Sequence, residues 1–186
     1  MREKSTFLRP VWSVIGLNVG WFACVLGAAW EIYWLSIVIV LLLIVIHFFV
    51  IGKERLLPAI LLGLASLVVG FVLDTGLIAI ETYEPNRWLI PAPITTIWLL
   101  MLWVNFSLAL NESLKWFQKN LLIAAITGSI FGPLAYFAAS SLEAVQIMTP
   151  VSRSLAKVGI VWFIAMPLMS LVAKYIYHYP LRFRNK

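Results

Sequence analysis

IYWLSIVIVLLLIVIHFFVI, residues 32–51, contains no Asp, Glu, Lys or Arg and one histidine, His47. A helix crosses the roughly 30 Å hydrocarbon layer with about 20 apolar residues, so this run predicts a membrane span. The rest of the chain agrees. Of its 186 residues 62% are hydrophobic and 12% charged, with a mean hydropathy of +0.96. Soluble domains run at about 45–50% and about 25%. Five further apolar stretches predict spans at 11–29, 56–80, 93–111, 120–139 and 155–177, so the expected fold is an all-α bundle of six transmembrane helices in one domain, residues 1–186. The first run, about 19 residues, exceeds the 7–15 of a signal-peptide core, and no cleavage is expected.

Lysine and arginine set the expected orientation. The N-terminal side collects Arg2, Lys4, Arg9, Lys53, Arg55, Lys115, Lys119, Lys174, Arg182, Arg184 and Lys186; the other side has Arg87, Arg153 and Lys157. This bias places both termini in the cytoplasm. Trp30, Tyr33, Trp34 and Trp88 fall at one predicted interface, and Trp12, Trp116, Tyr175 and Tyr177 at the other, the depth that amphipathic rings favour. The tail KYIYHYPLRFRNK, residues 174–186, suits an anchor on anionic lipid. The net charge of +6 forms no stripe or motif for nucleic acid. The single cysteine, Cys24, excludes an intrachain disulfide.

Asp74 is the only aspartate, and it sits inside the third apolar run. Gly63, Ser66, Gly70 and Asp74 share one face of that helix, a small-residue seam with an acid at its end. An unpaired charge there costs at least ~2–3 kcal/mol, so Asp74 is expected to face the bundle, either paired or protonated. Lys157, Arg87, Tyr136, Thr95 and Trp98 lie at similar depth. These residues predict a ligand pocket of Asp74, Thr95, Trp98, Tyr136 and Lys157, opening to the outer leaflet or periplasm between the third, fourth and fifth helices. Gly70 and Gly132 are expected to close its floor. Toward the cytoplasm a second polar cluster is expected from Asn18, Asn105, Glu112 and Trp116, with Trp98, Leu102, Asn105, Ala109, Glu112 and Trp116 running down one face of the fourth helix. Apolar residues separate the two clusters.

Several chemistries are excluded. VLDTG, residues 72–76, is like an aspartic-protease active-site stretch, but that reaction needs two carboxylates sharing a proton. The two histidines, His47 and His178, both fall toward the cytoplasmic side, so no histidine-rich metal site forms with Asp74. No P-loop, dinucleotide-binding glycine pattern or HExxH occurs. No cofactor and no metal is expected, and no complete catalytic constellation is visible.

NVGWFACVLGAAW (18–30), GFVLDTGL (70–77), PAPITTIWLLMLWVNFSLALNESLKWF (91–117) and GSIFGPLAYFAA (128–139) follow one another along the chain. Together they resemble the DUF2878 group, small bacterial inner-membrane proteins of unknown function. The likeness implies a multi-pass protein of the bacterial cytoplasmic membrane, points toward lipid metabolism, and assigns no activity. Three functions fit the residues. The first is binding of a lipid or other amphipathic molecule as an accessory to lipid metabolism, in a mostly apolar pocket with few polar groups. The others are a small proton-coupled transporter using Asp74 and a membrane-embedded lipid-modifying enzyme. Membrane lipids are the expected partners, with a membrane-protein partner or a second copy of the chain left open.

Overall fold

A computed structural model describes the backbone of residues 2–52, 55–87 and 89–183, and side chains within 9–52, 55–87 and 89–177. The described residues form a bundle of six α-helices: α1 (Arg2–Ala29), α2 (Trp34–Ile51), α3 (Leu56–Ala79), α4 (Ile97–Leu110), α5 (Leu121–Ser141) and α6 (Val151–Phe183). Two three-residue strands, β1 (Tyr83–Pro85) and β2 (Val145–Ile147), complete it. All the helices but α4 contain a stretch long and apolar enough to cross a membrane. They carry bulky apolar side chains on their outer faces, among them Leu41, Phe49, Leu64, Val68, Phe131, Ile160 and Ile164. Water would not tolerate such a surface; acyl chains would, and the architecture is that of a multi-pass membrane protein.

α4 is the exception and the centre. Sequence predicts a span from Pro93, but the helix starts at Ile97 and has 14 residues, about 21 Å at 1.5 Å per residue. It is short because it is wrapped by protein rather than lipid. α1, α2, α3 and α6 all pack on it, and its buried residues, from Trp98 to Leu110, lie all round the helix. Non-helical backbone at membrane depth survives when protein partners satisfy it. The preceding segment has such partners: the Thr95 amide donates to Thr75 Oγ1 at 3.2 Å, and Arg87 Nη1 donates to the Ile94 carbonyl at 2.7 Å.

The helix ends gather in two groups. At one end Asn86 acts as a clip. Its Nδ2 donates to the carbonyls of Ala28 (3.1 Å) and Glu143 (2.8 Å), and its own carbonyl accepts from Trp98 Nε1 (3.0 Å). There β1 and β2 pair antiparallel, Tyr83 opposite Ile147 and Pro85 opposite Val145, joining the ends of α3 and α5. Both helices close the same way. Glu81 and Glu143 take left-handed backbone (φ 53° and 64°), while the next amides, of Thr82 and Ala144, return to the carbonyls of Leu77 and Ala139. This is the Schellman closure, with glutamate where glycine is usual. At the other end Ser13 hydrogen-bonds Ser113 (2.9 Å), Arg55 pairs with Glu112 (3.3 Å), and Asn120 caps α5 through the Ile123 amide. Arg2, Lys4, Lys53, Trp88, His178, Arg182, Arg184 and Lys186 lie outside the described side chains.

Candidate functional site

Asp74 is 1% exposed, and three neutral donors converge on it. Oδ1 accepts from the hydroxyls of Tyr83 (2.9 Å) and Tyr136 (2.5 Å), and Oδ2 accepts from Trp103 Nε1 (2.8 Å). Hydrogen bonds to a carboxylate are roughly twice as strong as neutral ones, so three of them replace much of the hydration lost on burial. Burial, and then the carboxylate beside it, push the Tyr83 phenol well above its ordinary value of 10.0, so its hydroxyl stays a donor.

The small-residue seam on α3 explains how Trp103 arrives. A Cβ on Gly70 would lie 2.2 Å from the Trp103 ring. One turn later Asp74 takes the indole N–H. Gly132 of α5 does the same for α6, where a Cβ would lie 2.4 Å from the Trp162 ring. The two glycines therefore do not form a pocket floor by helix-on-helix contact. They seat two indoles, which stack on each other.

Beside this cluster lies a cavity of about 550 Å³. It is lined chiefly from α1, α4 and α5, with Trp162 and Met166 from α6, and α3 contributes Asp74 alone. α5 packs on α6 but does not run along α1 or α4, which leaves the space open. The exposed wall residues are Asn18 on α1 and Phe131 and Leu134 on α5. Asn18 and Phe131 each lie near the middle of an apolar stretch (Arg9–Ala29 and Leu121–Ser141). The exposed part of the wall thus lies on α1 and α5, while α3, one of the three helices expected to frame the pocket, contributes Asp74 alone.

The expected site residues divide accordingly. Asp74, Trp98 and Tyr136 reach the cavity wall, and so do Asn18 and Asn105 of the other expected cluster, with apolar side chains between them. Thr95 is buried outside the wall. Lys157 does not meet Asp74; its Nζ donates to the Ile80 carbonyl at 2.8 Å and closes the end of α3. Arg87 is engaged by Glu84. Glu112 belongs to a small recess with Arg55 and His47. Trp116 lies beyond α4 on a 3-10 turn (Lys115–Lys119), half exposed and stacked on Phe117, because the chain turns away after Leu110. Among the described residues no three His, Cys, Asp or Glu side chains gather as a metal site would require.

Sequence reasoning missed Tyr83, Trp103, Trp162 and Asn86. Only Trp103 left a trace: a small-residue face ending in an acid asks for a large flat donor on the next helix.

A family described as "Protein of unknown function (DUF2878)" matches residues 10–168, a range that holds every wall residue of the cavity. No curated protein and no solved structure matches the chain.

Proposed function

The chain belongs to the DUF2878 family of proteins of unknown function, and we propose that it is a membrane-embedded binding protein for a lipid or other amphipathic molecule, acting as an accessory to lipid metabolism. One observation carries this: a cavity of about 550 Å³ is walled mainly by apolar and aromatic side chains, and its exposed wall residues sit on α1 and α5, two helices with lipid-facing surfaces. Ligand sites are commonly 300–1,000 Å³ and apolar with a few polar groups, which is the composition here. Entry past those residues would bring an apolar molecule in from the bilayer without crossing water.

The test is identification of amphiphiles that co-purify with the protein in mild detergent. Ala135→Trp puts an indole into the cavity from α5, and Ile130→Trp puts one on the outer face of the same helix. The reading expects co-purified amphiphile to fall several-fold in the first variant and to persist in the second. Equal content in both would end it.

A proton-linked carrier is a second reading, favoured because Asp74 and Asn105 share one cavity. It requires transport in vesicles that Asp74→Asn abolishes while binding survives.

A further inference from the structure

The cavity holds more free acceptors than cations. Trp98, Trp103, Tyr136 and Thr127 all reach its wall, and each spends its N–H or O–H on a protein acceptor. Asn105 Nδ2 donates to the Leu17 carbonyl at 2.9 Å. That bond fixes the amide, because the reversed orientation would set carbonyl against carbonyl. Asn105 Oδ1 is then a buried acceptor with no partner, on a residue 1% exposed. The fold makes a place for it: a Cβ on Gly20 would lie 2.3 Å from the amide. A buried amide oxygen left unsatisfied costs about 1–3 kcal/mol, so its position asks for a donor from outside the chain. Among the described residues no lysine, arginine or histidine lines the cavity, and its one carboxyl group is that of Asp74.

We propose that the cavity selects an uncharged amphiphile with a hydroxyl group, which donates to Asn105 Oδ1 while its chain fills the apolar wall. The proposal rests on the cavity being a ligand site and names the ligand's chemistry. A phosphate or carboxylate headgroup would face Asp74 and a carbonyl oxygen with no cation to offset it. An ammonium headgroup would find Asp74 already holding three donors.

The experiment is native mass spectrometry of the full chain in detergent with oleyl alcohol, its methyl ether, oleate and oleylamine, at about pH 8 where oleate is ionised. The ether keeps the chain and the oxygen but has no donor. Oleyl alcohol should bind about tenfold tighter than the ether, the size of one buried hydrogen bond, and oleate should bind weakest. In Asn105→Ala the alcohol's advantage over the ether should vanish while apolar binding remains. If that variant does not fold, the alcohol-to-ether ratio in the unaltered chain decides alone. Equal binding of alcohol and ether, or tighter binding of oleate or oleylamine, would overturn the hydroxyl preference and leave the cavity reading intact. Binding of none of the four would defeat both.

Discussion

Trp103 and Trp162 stack with ring centroids 5.1 Å apart and planes 7° from parallel, and each ring rests where the helix beside it has only a glycine. The pair links α3, α4, α5 and α6 at one point, with Asp74 holding one indole by its N–H. Gly70→Ala and Gly132→Ala should each cost about 1–3 kcal/mol by overpacking. They should be less than additive together, since both break one stack. Gly76 has open space at its Cβ position, and alanine there should stabilise by about 0.5–1 kcal/mol. Thermal unfolding in a single detergent checks all four.

Asp74 is held by two tyrosines, whose hydroxyls also accept, and by a tryptophan that only donates. An asparagine can accept from Trp103 and offer its amide to the tyrosine oxygens, but the two tyrosine protons then lose their acceptor. Asp74→Asn should therefore cost less than Asp74→Leu, which leaves three buried donors unpaired at about 1–3 kcal/mol each and offers them no polar contact. A loss in Asp74→Asn as large as in Asp74→Leu would mean that the charge itself holds the bundle.

Glu81 and Glu143 occupy left-handed backbone that costs a side-chain-bearing residue about 1–2 kcal/mol. Glycine at either position should raise the unfolding temperature, because the Schellman bonds need no side chain. No change at both sites would refute the strain.

Glu112 lies just past α4, where burial raises its carboxyl above the ordinary 4.5 and outweighs the opposing pull of Arg55. A raised folded value means that the group's contribution is complete below the ordinary range and is lost as pH rises through the folded value. The stability of the parent relative to Glu112→Gln should therefore improve as pH drops from neutral toward that range. Denaturant titrations at both ends of the window decide it; a flat difference would contradict the shift.

Gln118 and Gln146 lie at opposite ends of the bundle, on either side of α5. Reporter fusions after each should read opposite sides of the membrane, with Gln118 cytoplasmic by the charge bias. The same side for both would rule out six crossings.

The long apolar runs made the bundle legible, since composition alone distinguishes helices that face lipid. α4 was harder. Other helices and the cavity wall surround it, so its sequence has no lipid-facing stripe to mark its partners, and a stripe drawn from Trp98 to Trp116 overran the turn after Leu110. Tyr136 could be matched to Asp74 by depth. Tyr83 could not, because it lies past the end of α3 on a strand of three residues that exists only through pairing with residues some 60 positions later. Lys157 had the right depth but found a nearer acceptor in the open carbonyl of Ile80.

The donors of Asp74 come from 9, 29 and 62 positions downstream. A chain threaded into the bilayer from its N-terminus brings Tyr83 almost with the acid and Trp103 one helix later. Tyr136 comes only when α5 enters, and β1 has no partner until the residues after α5 are made. A product truncated before α5 therefore leaves its carboxylate one donor short in a solvent that offers none. The bilayer itself penalises unfinished copies, and completeness is built into the energetics of a single aspartate.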